Sequence, residues 1–183
     1  MDERIFRAIY GGTTTTYPIY ALMVGLTVVG SGWSMIAFLP FVILRRTRRM
    51  GAWLLATLVA TSLVVFLAKM AVHRARPCAT LGDVHALCFT APRDPSFPSG
   101  HSAGAFAFAT FLATIVVSSS MRRRTKMLAA ASLGVVALGI ALSRIYLGVH
   151  FPSDVAAGAV IGTILGHLGA RLARKPLDRP VSP

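Results

Sequence analysis

The chain has 183 residues, of which 55% are hydrophobic, and its formal net charge is +13 at pH 7. Only 14% of the residues are charged, well below the ~25% of a typical soluble domain, and the mean hydropathy is +0.66. This composition excludes an ordinary water-soluble domain and indicates a protein whose outer surface is covered by lipid. The length favours one domain, which we place at residues 1–175, followed by a disordered tail at residues 176–183.

The first segment, residues 1–12, is too short and too charged to cross a bilayer. Ile5, Phe6, Ile9 and Tyr10 have the spacing of one apolar helix face, which predicts a short helix lying in the membrane interface. A loosely ordered terminus is the alternative interpretation.

Five uncharged stretches follow, and each comes close to or exceeds the ~20 residues that a helix needs to cross a membrane. They are Tyr17–Leu44, Met50–Ala68, Ser102–Met121, Met127–Ser143 and Val155–Ala170. We therefore predict an all-α fold, a polytopic transmembrane helical bundle of about five spans plus the short N-terminal interfacial helix. Gly158, Gly162 and Gly166 form a stripe of small residues on the last span, which we interpret as a packing face within the chain rather than a dimer seam.

The basic residues are concentrated at residues 45–49, 122–126 and 171–179. Because successive clusters are two spans apart, five spans place all three on one side, which the positive-inside rule identifies as cytoplasmic. In a cell membrane the N-terminus is then outside, the C-terminus is inside, and the loops Val72–Pro98 and Arg144–Ser153 face outward. The clusters indicate topology and contacts with anionic membrane lipids. No nucleic-acid partner is predicted, because no nucleic-acid-binding motif accompanies the charge.

The only two cysteines, Cys78 and Cys88, both lie in the first outward loop. An exterior compartment permits disulfides, so we hypothesise that the two are bonded. Such a bond would close a short loop and contribute about 2–3 kcal/mol by the chain-entropy model. Two free thiols are the alternative.

Three groups of residues at the outer span ends carry potential chemistry, and the first consists of Lys69, Arg76 and Pro77. An ionisable group at the edge of a span is a functional candidate, although a lysine that snorkels to the interface is a common alternative. Arg76 offers a rigid fork of donors that suits phosphate oxygens. Pro77 favours an extended backbone at Arg76 and the end of the helix.

The second group, Pro98-Ser99-Gly100-His101, is typical of a helix start. Ser99 can cap the helix, and Gly100 lets a ligand approach the backbone. The free amides of a first helical turn bind anions, and His101 would lie where it could give a proton to a leaving oxygen. An ordinary N-cap with an incidental histidine is the alternative.

The third group consists of Ser143, Arg144, His150 and Asp154. Pro152 favours the first turn of a helix, which places His150 in the loop before it and Asp154 within reach of the imidazole. A carboxylate at one ring nitrogen fixes the tautomer and raises the basicity of the other nitrogen, as a histidine nucleophile requires. The alternative is that Asp154 only completes a helix N-terminus.

In order and spacing, these groups resemble the signature of the type 2 phosphatidic acid phosphatase superfamily, with agreement at all eleven fixed positions. The resemblance implies that His150 attacks phosphorus to form a phosphohistidine, that Asp154 orients His150, and that His101 protonates the leaving oxygen. It also implies the residues that hold the phosphate, namely Lys69, Arg76, Ser99, Gly100 and Arg144. It implies neither a metal ion nor another cofactor.

The resemblance further implies an integral-membrane phosphatase that acts on a lipid phosphate or diphosphate at the outer face of the membrane. Undecaprenyl diphosphate is the first choice of substrate, because a small enzyme with an exterior site suits the recycling of a lipid carrier. Phosphatidic acid and phosphatidylglycerophosphate are alternatives. A non-catalytic lipid-binding or lipid-transporting membrane protein is the alternative of another class, and it would not need His150 paired with Asp154.

Overall fold

The computed structural model describes residues 1–12, 15–31, 43–45, 47–88 and 92–174. Within these ranges every regular element is helical, which confirms the predicted all-α fold. The helices are α1 (Asp2–Ile9), α2 (Tyr17–Val29), α3 (Arg48–Val72), α4 (Pro77–Thr80), α5 (Gly100–Val117), α6 (Arg123–Tyr146) and α7 (Pro152–Arg174).

Four stretches of the described chain are helical, long and apolar enough to cross a membrane: α3 with α4, then α5, α6 and α7. The shorter apolar helix α2 begins where the first predicted span begins. Residues 32–42 of that predicted span lie outside the described residues, as does the predicted tail at residues 176–183. The predicted polytopic transmembrane bundle is confirmed.

Consecutive spans run in opposite directions, so one end of the bundle collects the last turns of α3 and α6 and the first turns of α5 and α7. This site end carries Lys69 at the end of α3, Arg144 at the end of α6 and Asp154 at the start of α7. The other end of the bundle carries most of the described basic residues, including Arg48, Arg49, Arg122, Arg123, Arg124, Lys126, Arg171 and Arg174.

Helices α5 and α7 form the most closely packed pair among the described helices. The stripe of Gly158, Gly162 and Gly166 makes this approach possible, because a Cβ built on Gly162 would lie 2.1 Å from the carbonyl oxygen of Ala103. The interpretation of the stripe as a packing face within the chain is confirmed. The contact aligns the starts of the two helices, and it thereby fixes the positions of the chemical groups that lie there.

The predicted N-terminal helix is formed as α1, and it packs against the protein at the site end. Phe6 is fully buried in an apolar cluster that includes Val84 and Phe151. Arg7 pairs with Asp83 at 2.5 Å. These contacts exclude the alternative of a loosely ordered terminus, and they place the apolar face of α1 on protein.

The predicted disulfide is not formed in the structure, where Cys78 and Cys88 are both partly buried thiols. Cys78 lies in α4 and packs against the apolar cluster around Phe6.

Candidate active site

His150 lies in the short loop between α6 and α7 and is only 2% exposed. Pro152 occupies the first position of α7, as predicted, so the helix begins two residues after the histidine. The backbone amide of His150 donates to the carbonyl of Arg144 at 3.2 Å. This loop therefore holds the imidazole beside the helix end that carries Arg144.

Arg76 approaches one nitrogen of the imidazole, with its Nη1 3.1 Å from His150 Nε2. A guanidinium only donates hydrogen bonds, so Nε2 is the acceptor and carries no proton. The proton of the neutral ring then lies on Nδ1. The structure thus presents an unprotonated Nε2 of His150, the form that a nucleophile requires once phosphate displaces Arg76 from its lone pair.

Ser96 and Asp154 lie on the Nδ1 side of the same ring. Ser96 Oγ is 3.3 Å from His150 Nδ1 and donates to Asp154 Oδ2 at 2.5 Å. The direct distance from His150 Nδ1 to Asp154 Oδ2 is 3.6 Å, which is longer than a normal hydrogen bond. The serine hydroxyl therefore bridges the imidazole and the carboxylate.

Burial lowers the pKa of His150 to about 4, and the positive charges of Arg76 and Arg144 act in the same direction. Asp154 opposes the shift, because its negative charge favours a protonated imidazole. The balance leaves His150 neutral at physiological pH. The neutral form is the one that can attack phosphorus.

Two predicted phosphate-binding residues, Ser99 and Gly100, lie at the start of α5 together with His101, the predicted proton donor. Ser99 is the N-cap, and its Oγ accepts from the Ser102 amide at 3.4 Å. The Ser99 amide donates to the Asp154 carbonyl at 2.9 Å, which ties the start of α5 to the start of α7. A Cβ on Gly100 would make only an ordinary contact, so packing does not demand this glycine and leaves open a role in ligand approach.

Arg144 lies buried at the end of α6, and its Nη1 donates to Thr27 Oγ1 in α2 at 3.1 Å. Its Nε has no hydrogen-bond partner and is the one buried side-chain polar atom of the described residues in that condition. Buried donors without partners are costly. An anionic ligand bound here could therefore accept the hydrogen bond that Arg144 Nε has to offer.

Asp94 occupies the space between Lys69 and Arg76. Its Oδ2 is 2.8 Å from Lys69 Nζ, and its Oδ1 is 2.9 Å from Arg76 Nη2. Partial burial alone would raise the pKa of Asp94, but the hydrogen bond from Lys69 and the charge of Arg76 hold it below its usual value. Lys69 also donates to the carbonyl of Pro95. The two cations thus already hold a carboxylate where they could hold a phosphate.

A cavity of about 710 Å³ lies between α2, α3, α5 and α6. Three of the predicted site residues line it, namely Lys69, Gly100 and His101. The remaining lining is mainly apolar and includes Leu58, Val65, Phe66, Phe108, Leu133 and Ile140. The cavity therefore joins polar groups of the site to an apolar space between the spans.

The described residues contain no cluster of three or more histidine, cysteine or acidic side chains that could hold a metal ion. The structure gathers all eight predicted catalytic and phosphate-binding residues at the site end of the bundle. Sequence reasoning missed Ser96 and Asp94. Ser96 lies in the same short loop as Pro98 and Ser99, so proximity to that motif was the available signal.

Comparison with known proteins adds independent evidence. A decaprenylphosphoryl-5-phosphoribose phosphatase of Mycobacterium tuberculosis is 36% identical over 156 residues, which cover 79% of this chain and 76% of the relative. An undecaprenyl-diphosphatase of Sulfolobus acidocaldarius is 29% identical over 131 residues, which cover 71% of this chain and 58% of the relative.

Among solved structures, Aquifex aeolicus LpxE matches with a TM-score of 0.75 and 30% identity, over 93% of this chain and 94% of that chain. A Bacillus subtilis phosphatidylglycerolphosphate phosphatase of the PAP2 type has the same fold, with a TM-score of 0.78 and 24% identity. That match covers 99% of this chain and 87% of the other.

The helical bundle and these likenesses define a multi-pass membrane phosphatase that acts on lipid phosphates. The model of the PAP2 superfamily matches residues 50–177, which is more than half of the chain. The chain belongs to the PAP2 superfamily.

Proposed function

We propose that the protein hydrolyses the terminal phosphate of a polyprenyl-linked lipid through a phosphohistidine on His150. One observation carries this proposal: three residues of the predicted site, Lys69, Gly100 and His101, line an apolar cavity between the spans. An amphiphilic substrate fits such a space, with its chain between the helices and its phosphate at the polar end.

In the proposed first step, Nε2 of His150 attacks phosphorus and a P–N bond forms. The bond from phosphorus to the lipid oxygen breaks, and its electron pair remains on that oxygen, which takes a proton from His101. In the second step the oxygen of a water molecule attacks phosphorus while His101 accepts a proton from that water. The P–N bond breaks, its electron pair returns to Nε2 of His150, and inorganic phosphate leaves. Asp154, bridged by Ser96, stabilises the positive imidazole ring between the two steps.

Cations and helix amides would stabilise the charge on the non-bridging phosphate oxygens. We assign this role to Lys69, Arg76, Ser99, Gly100 and Arg144. The Arg144 Nε that lacks a partner supports its assignment. Arg76 would also position the nucleophile. Its contact with Nε2 holds the imidazole of His150 in place until phosphate oxygens compete for the guanidinium.

Two polyprenyl substrates are in competition. The 36% identical relative is named for a phosphate on a decaprenylphosphoryl-linked ribose, and a polyprenylphosphoryl-pentose phosphate is our first candidate because that relative aligns over most of both chains. Undecaprenyl diphosphate, the substrate expected from the sequence, is the second, and it is supported by the 29% identical relative. We place the reaction on the outer face of the membrane, because the basic clusters lie at the other end of the bundle.

The test is phosphate release from purified protein in detergent, with polyprenylphosphoryl-pentose phosphate, undecaprenyl diphosphate, phosphatidic acid and phosphatidylglycerophosphate compared at equal concentration. We expect turnover by the wild type in EDTA and none by His150→Ala. His85→Ala serves as the matched control, since His85 is an exposed histidine of the outward loop. Substrate labelled with ³²P should leave acid-labile label on the wild type after rapid quenching.

Undiminished turnover by His150→Ala would reject the nucleophile. Release from none of these lipids would favour the lipid-binding or lipid-transporting alternative. Loss of activity in EDTA, restored by a divalent cation, would reject the metal-independent mechanism.

A further inference from the structure

Arg74 lies in the linker between α3 and α4, and its guanidinium contacts four protein side chains. Its Nη1 donates to Asp154 Oδ1 at 2.7 Å and to Ser153 Oγ at 2.6 Å. Its Nη2 donates to Asp2 Oδ2 at 2.7 Å, and its guanidinium carbon lies 4.3 Å from the centre of the Phe151 ring. These contacts direct Arg74 toward carboxylates, whereas Arg76 faces His150.

Asp154 needs such a partner, because its side chain is 0% exposed. Its Oδ2 accepts from the Phe151 amide at 2.8 Å and from Ser96 at 2.5 Å. Its Oδ1 accepts from Arg74. A buried carboxylate requires a counter-charge, and a neutral His150 does not supply one. Arg74 therefore supplies the positive charge that Asp154 requires before phosphoryl transfer begins.

Asp2 is the third member of this arrangement and comes from the first turn of α1. Its Oδ1 accepts from the Ser153 amide at 3.0 Å, and its Oδ2 accepts from Ser153 Oγ at 2.5 Å in addition to Arg74. Asp2 thus binds both the cation that holds Asp154 and the residue next to Asp154 in the chain. Asp2 thereby connects the N-terminal helix to Arg74 and Ser153.

We propose that Asp2 and Arg74 form a positioning relay for the reaction at His150. Asp2 fixes Arg74, Arg74 fixes the Asp154 carboxylate, and Asp154 with Ser96 sets the ring orientation and tautomer of His150. The proposal rests on the function proposed above. Arg74 donates to Asp2, Ser153 and Asp154, so the relay acts on the rate of the chemical step and leaves substrate binding unchanged.

The same helix offers a matched control. Arg7 and Asp83 form an ion pair that also attaches α1 to the outer loop, but both side chains are exposed and lie away from Asp154. Substitutions in this pair weaken the docking of α1 and leave the relay intact. A difference between the two pairs therefore separates positioning from a general loss of packing.

The experiment measures kcat and KM of the purified full chain for the lipid phosphate that the wild type hydrolyses. We expect Arg74→Met to lower kcat by about 10- to 100-fold, comparable to the loss of an outer partner of a metal-ligating histidine, with KM unchanged. Arg74→Lys should recover part of the loss, Asp2→Asn should show a smaller loss in kcat, and Arg7→Met and Asp83→Asn should match the wild type.

A double-mutant cycle tests the route of the effect. In an Asp154→Asn background, Arg74→Met should cause little further loss, because both residues act on His150 through one contact. Full additivity would overturn the relay, as would equal losses in Arg7→Met and Arg74→Met or wild-type kcat in Arg74→Met. If Arg74→Met does not fold, Asp2→Asn and Arg74→Lys test the relay instead: wild-type kcat in both, or losses equal to that in Arg7→Met, would overturn it. An inactive wild type, by contrast, would reject the proposed function itself.

Discussion

Asp94 forms an ion pair with Lys69, with 2.8 Å between its Oδ2 and the Lys69 Nζ, inside the proposed phosphate site. The other carboxylate oxygen contacts Arg76. Two oxygens of one group thus bridge two cations, as two oxygens of a phosphate would. Because the Asp94 side chain is 54% exposed, it can move into solvent without a large packing loss.

We therefore predict that Asp94 competes with phosphate for these cations. Asp94→Asn removes the competing charge, and partly exposed ion pairs contribute up to about 1 kcal/mol each. The inhibition constant of inorganic phosphate should fall by roughly three- to tenfold, measured by competition against hydrolysis of the lipid substrate. Asp83→Asn, a change of an exposed carboxylate outside the site, is the control. A rise in the inhibition constant for Asp94→Asn would instead mean that Asp94 holds the cations in place for phosphate.

The buried His150 predicts a pH dependence of stability. Burial holds its folded pKa at about 4, below the ordinary value of 6.5. Between these two pH values the unfolded chain therefore binds more protons than the folded chain. The contribution of neutral His150 to the free energy of unfolding is complete above pH 6.5 and is lost as the pH falls through about 4. The Tm of the wild type in detergent should fall more steeply over this window than that of His150→Gln. Parallel Tm curves for the two proteins would contradict the depressed pKa.

Local signals in the sequence predicted the helix starts of the site correctly. Pro152 and the Ser99 cap act within one turn, so their effect is readable without knowledge of the fold. The three motif groups also fall at span ends. Because successive spans cross the membrane in opposite directions, counting the spans places these ends on one side. These features placed His150 and Asp154 at the start of α7 before any contact was known.

The partners of these residues could not be predicted in the same way. Ser96 contacts His150 across 54 positions of sequence, and Arg74 contacts Asp154 across 80. Such contacts depend on how the linker after α3, the loop before α5 and the start of α7 meet, and a one-dimensional pattern does not specify that. For the same reason the apolar face of α1 was correctly recognised but assigned to lipid, whereas Phe6 is buried on protein.

The close approach of α5 and α7 predicts a strong effect at Gly162. A Cβ there would lie 2.1 Å from a backbone oxygen of Ala103, so Gly162→Ala must separate the helices. We expect a loss of about 1–3 kcal/mol in stability, seen as a lower Tm, with reduced kcat because the helix starts at Ser99 and Asp154 shift. Gly134→Ala is the control, since a Cβ at Gly134 meets nothing within 4 Å. Its Tm should be unchanged or higher, because alanine favours a helix over glycine by up to about 1 kcal/mol.

A decrease in Tm for Gly134→Ala as large as that for Gly162→Ala would show that glycine content, rather than the α5–α7 contact, sets the stability. An unchanged Tm for Gly162→Ala would mean that the helix pair adapts to the added methyl group at no cost.

The proposed orientation in the membrane predicts which loops are accessible from outside the cell. The exposed His85 lies at the site end. The exposed Ser120 lies between α5 and α6 at the opposite end, which carries most of the described basic residues. In a background with Cys78→Ser and Cys88→Ser, His85→Cys should react with a membrane-impermeant maleimide in intact cells. Ser120→Cys should react only after permeabilisation, because the positive-inside rule places its loop in the cytoplasm. The reverse pattern of labelling would place the active site on the cytoplasmic face and exclude substrates confined to the outer leaflet.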